Sequence, residues 1–179
     1  MSDRSASDRA GSAGADLVRT FESLRDELVS TLWYVIGNRD DALDAAQDAF
    51  LKCWRMREQL AEIANVRAWV FTVAVNTARD LRRSAWKRKA RPLAGEDAVY
   101  ADTAAPPDHA AGCREELQRL REALVELRDD EKEVFLLRQN GGMTYEQIAA
   151  LHDRPVGTVK TQMRTALIKL RQVLAAPPQ

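Results

Sequence analysis

Apolar residues return at three- and four-residue steps through two blocks of this chain, and nowhere do they alternate. In the first block Leu17, Phe21, Leu24, Leu28, Val29, Leu32 and Ile36 share one side of a helix, with Gly37 placed to end it in a left-handed cap. Between the blocks, from Arg91 to Gly112, the text becomes PLAGEDAVYADTAAPPDHAAG, with prolines, small residues and four acids. No period there is long enough to pack, so the segment reads as a linker. The pattern predicts an all-α chain of two small helical domains: a disordered tail over 1–15, a first domain over 16–90, a flexible linker over 91–112 and a second domain over 113–176.

Within the first domain, Asn38 or Asp40 can cap a second helix whose apolar side reads Leu43, Ala46, Phe50, Cys53 and Trp54. A third helix from about Val66 to Lys87 offers Trp69, Val70, Val73, Ala74, Thr77 and Leu81 for burial. The second domain opens with Leu117, Leu120, Leu124 and Leu127 on one face, and Asp129 or Asp130 then starts a short helix. Thr144 and Gln147 form a capping box for the next one, HDRP interrupts, and a last helix turns Val159, Met163, Ala166, Leu167, Leu170 and Val173 inward.

Two helices joined by a short turn, the second of them basic, describe a helix-turn-helix, a shape that plain helical hairpins share. The outward face of the second helix points further. Gly157, Thr158, Thr161, Arg164 and Thr165 lie on it, with Lys160 to one side and Gln162 toward the other, and no acid occurs from Arg154 to the end. Gly157 lets backbone approach a phosphate, free amides mark the helix start, and Thr, Gln and Arg can address base edges. Arg154, Lys160, Arg164, Lys169 and Arg171 supply positive charge.

The segment TYEQIAALHDRPVGTVKTQM resembles region four of bacterial sigma factors of the extracytoplasmic-function class. That resemblance implies docking of this helix in the major groove of the minus-thirty-five promoter element, through Arg154, Gly157, Thr158, Lys160, Thr161, Gln162, Arg164 and Thr165. Gln162, Thr165 and Leu167 stand where the family often has arginine, so the family's promoter sequence does not transfer.

The first block resembles the same family. NRDDALDAAQDAFLKCWR, from Asn38 to Arg55, is similar to its region two, and Asp41, Asp44 and Asp48 fall at i, i+3 and i+7 with Gln47 beside them. Compensation of the helix dipole suits Asp40 and Asp41 in the first turn but does not reach Asp48. By resemblance, Asp41, Asp44, Gln47 and Asp48 dock on the clamp helices of core RNA polymerase. The third helix, AWVFTVAVNTARDLRRSAWKRKAR, is similar to the family's segment for reading and melting the minus-ten element. Carried over by position, that role falls to Leu60, Asn65, Arg67, Asn76, Arg79, Asp80, Arg83, Trp86 and Lys87. Trp86 lies on a basic face, where stacking on a base and simple burial make equal use of its flat ring.

Formal net charge is zero, whereas proteins that hold duplex DNA unaided carry a basic excess. The charge is segregated, however. Residues 79–91 hold seven basic groups against Asp80, and acids gather in the second helix and the linker. A polymerase partner removes the need for a large excess. The function implied is a sigma factor that binds core RNA polymerase and promoter DNA, duplex and melted strand alike, to direct transcription initiation. The alternative is a stand-alone helix-turn-helix regulator that ignores polymerase. A long linker would permit, without requiring, capture by an anti-sigma factor.

No HExxH, nucleotide-binding glycine loop or framed carboxylate pair occurs, so no enzyme, catalytic residue or cofactor is expected. Cys53, Cys113, His109 and His152 have no ligand-like spacing, which leaves a metal or redox sensor as a minor reading and two idle thiols as the main one. No apolar run approaches the roughly 20 residues that span a bilayer, and the polar start lacks a secretion signal, so a cytoplasmic protein, at the nucleoid when active, is expected.

Overall fold

Leu17, Leu24, Leu28, Thr31 and Leu32 are all buried, and they line one side of a first helix of 34 residues in the computed structural model. The structure describes the backbone of residues 3–89 and 114–175, and the side chains of residues 13–84 and 119–175. Among these, helices α1 (Asp3–Ile36), α2 (Arg39–Arg55) and α3 (Val66–Lys89) belong to one compact unit, and α4 (Arg114–Val125), α5 (Asp129–Gln139), α6 (Tyr145–His152) and α7 (Val156–Ala175) to a second. No strand occurs among the described residues. The linker segment read over 91–112 lies outside them.

In the first unit, α1 begins at Asp3 rather than after a tail ending at residue 15. Alanines at 6, 10, 13 and 15 favour propagation of a helix already nucleated by the packed residues downstream. Gly14 is buried against Trp54, where an added Cβ would come within 3.0 Å of the indole. At the far end Gly37 takes φ +86° and its N–H donates to Trp33 O at 2.7 Å, the left-handed stop that its position predicts. Asn38 then caps α2, its Oδ1 accepting from the N–H groups of Asp40 (2.8 Å) and Asp41 (3.1 Å).

The buried stripe of α2 differs from the one expected. It is Ala42, Ala45, Ala49 and Cys53, all fully inaccessible, while Leu43, Ala46 and Phe50 are half-buried and Trp54 is 36% exposed. Large side chains flank a seam of small ones because α2 lies close against both α1 and α3. Phe21 and Phe50 meet edge to face at 5.1 Å on one flank. On α3 the buried set is Ala68, Val70, Phe71, Ala74, Val75, Thr77 and Ala78, with Trp69, Val73 and Leu81 at its margin. Thr77 is buried without polar cost: its hydroxyl donates to Val73 O at 2.8 Å and accepts from Lys52 Nζ at 2.9 Å.

In the second unit Ala123, Leu124, Leu127, Val134, Leu136, Leu137, Met143, Ile148, Val159, Met163, Ala166 and Leu170 make the core. The capping box at Thr144 and Gln147 is formed in both directions, at 3.2 and 2.8 Å. Asp153 ends α6 in the left-handed region at φ +50°, with Arg154 N–H returning to Ala149 O at 3.0 Å. The Pro155 carbonyl then accepts from Thr158 N–H at 3.0 Å, which starts α7. Glu131, at the start of α5, is buried, and a carboxylate there requires partners. It accepts from Lys169 Nζ at 2.6 Å and from Arg128 N–H at 3.2 Å.

Candidate functional site

Three exposed helix faces carry the residues singled out from sequence. On α2, Asp44, Gln47 and Asp48 are exposed and Asp41 is half-buried at the helix start. Lys52, one turn beyond Asp48 and the natural partner for an i, i+4 pair, is drawn instead to Thr77 on α3. Among the described residues no cation pairs with Asp44 or Asp48. Among the described residues the strip is therefore a patch of unpaired negative charge. Leu51, 49% exposed, and Trp54 lie on the outer side of the same helix.

Beside it, α3 presents exposed Asn76, half-buried Arg79, and exposed Asp80 and Arg83. Asp80 pairs with Arg83 at 3.3 Å, but both side chains are well over half exposed, so the pair is weak and yields readily to a stronger partner. Trp86 and Lys87 lie within α3, and their side chains are outside those described.

The other three residues on this side are committed to the fold. Asn65 Oδ1 accepts from Ala68 N–H at 3.0 Å, capping α3. Arg67 forms an ion pair with Glu27 on α1 and lies 5.9 Å over the Phe71 ring. Leu60 is half-buried in a 3-10 turn over Arg57–Glu62, and its carbonyl accepts from Ile63 N–H at 3.1 Å. The sequence signal for Asn65 was available: a short polar residue directly before an apolar-periodic run is a cap signature.

On α7, Gly157, Thr158, Lys160, Thr161 and Arg164 are exposed and Thr165 is half-buried. Nothing lies within 4 Å of where a Gly157 Cβ would be, so its backbone stands open. The hydroxyls of Thr161 and Thr165 donate to the carbonyls of Gly157 (2.9 Å) and Thr161 (3.0 Å), which leaves their lone pairs and methyl groups outward. Lys160 Nζ sits 5.9 Å from the Tyr145 ring centre, beside Arg138 at 5.1 Å on the same ring.

Two of the expected readers are turned elsewhere. Gln162 Nε2 donates to Asp130 Oδ2 at 2.8 Å, and its Oε1 is buried without a partner. Arg154 Nη1 approaches the same carboxylate oxygen at 3.8 Å. Lys169, counted from sequence among the free positive charges of this face, neutralises buried Glu131 instead. The acids responsible, Asp130 and Glu131, lie some thirty residues earlier in the chain, and periodicity alone cannot pair them with α7.

The thiol of Cys53 is fully buried and desolvation pushes its pKa up to about 12, against a smaller opposing effect of a backbone hydrogen bond. Such a thiol is a poor nucleophile and metal ligand. Cys113 and His109 lie outside the described residues. No described helix is long and apolar enough to cross a membrane.

Comparison with known proteins bears on the whole arrangement. Residues 20–88 match the family described as Sigma-70 region 2, and residues 117–170 match Sigma-70, region 4. The chain is 31% identical over 160 residues to the ECF RNA polymerase sigma factor EcfG of Rhodopseudomonas palustris strain TIE-1, covering 89% of this chain and 83% of the relative. It is 28% identical to the ECF RNA polymerase sigma-E factor of Escherichia coli strain K12, over 69% of this chain and 68% of the other. Among solved structures, the sigma factor RpoE from Bartonella quintana, in complex with the anti-sigma factor NepR, shares the fold with a TM-score of 0.61 at 22% identity, covering 91% of this chain and 99% of that one. CnrH, in complex with the cytosolic domain of CnrY, gives a TM-score of 0.57 at 22% identity, with 95% and 97% covered. With region two carried by the first helical unit and region four by the second, the chain belongs to the extracytoplasmic-function family of RNA polymerase sigma factors, proteins that bind core RNA polymerase and direct promoter recognition.

Proposed function

We propose a division of that work among the three exposed faces. Asp41, Asp44, Gln47 and Asp48 on α2 dock the chain on core polymerase. Asn76, Arg79 and Arg83 on α3, continued by Trp86 and Lys87, hold the melted non-template strand of the minus-ten element. Gly157, Thr158, Lys160, Thr161, Arg164 and Thr165 on α7 contact the minus-thirty-five duplex. The observation that carries this reading is the segregation of charge: exposed Asp44 and Asp48 on α2 with no cation partner among the described residues, against an exposed α7 face with no acid in it.

The chemistry is binding rather than catalysis, and the polymerase forms the bonds. Holding an extruded base offsets an unstacking cost on the order of a few kcal/mol, which polar groups and phosphate contacts supply. Because the chain as a whole carries no net charge, its free form binds duplex DNA weakly, and polymerase holds both DNA faces on one promoter. The relative from Bartonella quintana is held by an anti-sigma factor. A partner of that kind is the regulator this two-unit architecture would accept.

The decisive experiment is transcription by core polymerase supplied with this chain on a randomised promoter library. Initiation from a discrete promoter set is expected, and Asp48→Arg should abolish it without changing thermal stability. Tight, specific duplex binding by the free chain combined with no core-dependent initiation would establish instead the stand-alone regulator.

A further inference from the structure

The carboxylate of Asp130, at the start of α5, gathers three groups on one oxygen. Oδ2 accepts from Gln162 Nε2 at 2.8 Å and lies 3.4 Å from Arg128 Nη2 and 3.8 Å from Arg154 Nη1. Its other oxygen accepts from Glu131 N–H at 3.1 Å, which fixes the side chain on the first turn of α5. Asp130 is 23% exposed and Arg154 is 41% exposed, so the acid is mostly covered while the guanidinium remains at the surface. Gln162 is half-buried, and its second polar atom is fully enclosed.

This arrangement sets a competition. Arg154 precedes α7, whose N-terminal amides and open Gly157 backbone mark where a phosphate would approach. An acid within 4 Å offsets the charge that Arg154 would otherwise present to such a phosphate. Gln162, one helical turn beyond Thr158, has the bidentate amide that suits a base edge, yet its donor is spent on Asp130 and its acceptor is covered. We propose that Asp130 is a positioning residue of the promoter-recognition surface: it holds Gln162 as an internal strut behind α7 and holds Arg154 back from the DNA backbone, so that neither contributes to selectivity or to phosphate binding. The inference rests on α7 contacting the promoter duplex, as proposed above.

The test uses the full chain assembled with core polymerase on a duplex promoter, with affinity measured across a salt series and base preference measured by selection from a library randomised in the upstream element. In the wild-type background, Arg154→Ala should leave the salt slope unchanged and Gln162→Ala should leave every base preference within about twofold. Asp130→Asn keeps an acceptor for Gln162 and removes the charge facing Arg154. It should steepen the slope of log affinity against log salt by about 0.9, the value of one added phosphate contact, and Arg154→Ala in that background should remove the gain. The proposal is overturned if either single variant alters the wild-type slope or preference, or if Asp130→Asn leaves the slope unchanged. The two wild-type-background variants decide the matter even if Asp130→Asn folds poorly. Arg164→Ala checks the underlying reading separately: a flattened slope is expected, and no change would show that α7 does not bind the duplex at all.

Discussion

Lys169→Met separates two roles for one lysine. From sequence, Lys169 joins the positive face of the last helix, whereas in the structure its Nζ lies 2.6 Å from Glu131 Oε2. The Glu131 side chain is only 5% exposed and that of Lys169 is 37% exposed. Removing one partner of a buried pair costs about 3–5 kcal/mol because the other charge is left in a poorly solvated place. Here water reaches the lysine side and Arg128 N–H still donates to the carboxylate, so roughly half of that, about 2 kcal/mol, is expected. For a unit of this size about 2 kcal/mol corresponds to a fall in melting temperature of roughly 8–16 °C.

The chain has a built-in means of assigning that loss. All four tryptophans, Trp33, Trp54, Trp69 and Trp86, lie in the first unit. Fluorescence should therefore melt as in the wild type, while the helical signal in circular dichroism gains an early component from the second unit. Glu131→Gln added to Lys169→Met should recover more than half of the loss, because the uncompensated charge is gone. If Lys169→Met melts within about 0.5 kcal/mol of wild type and instead flattens the salt dependence of promoter binding by about one phosphate contact, Lys169 is a DNA ligand and the reasoning fails.

Three further outcomes follow from the first unit. Asn38→Ala removes the oxygen that accepts from Asp40 and Asp41 N–H and should destabilise that unit by about 1 kcal/mol in urea titration followed by tryptophan fluorescence, with Asn38→Asp near neutral. Ala45→Leu places a larger side chain in the fully buried seam of α2 and should cost about 1–3 kcal/mol in the same titration, whereas Gln47→Leu on the exposed face should be nearly silent. Folding raises the Cys53 thiol from 9.0 to about 12, so its contribution to stability is intact below pH 9 and is lost as pH rises toward 12. Stability measured from pH 8 to 11 should therefore fall less steeply in Cys53→Ala than in the wild type, and iodoacetamide should label Cys53 only at the rate of unfolding.

What could be read from the chain alone was everything governed by neighbours a few residues apart. The helical period of Leu17, Leu24, Leu28 and Leu32, the stop at Gly37, the Asn38 cap and the capping box at Thr144 are local devices, and each formed where its spacing places it. Exposure of Asp44, Asp48, Thr158 and Arg164 was legible for the same reason, since a helix with one apolar side must turn the other outward.

The choice of which helix residues touch was not legible. Helical period locates a face to within a residue or two, and only the distance between helices decides whether large or small side chains fill the seam. In α2 the approach of α1 and α3 selected Ala42, Ala45 and Ala49 over Leu43 and Phe50. The same holds for polar groups. Arg67, Gln162 and Lys169 read as surface groups along the sequence, and tertiary structure brought each to a partner, Glu27, Asp130 and Glu131, between 32 and 40 residues away. Sequence by itself determined the family, the helices and the sign of charge on each face, because those follow from composition and local period. Only the folded structure decided which charges remain unspent for polymerase and DNA, because a long side chain bonds to whatever packing places within its reach.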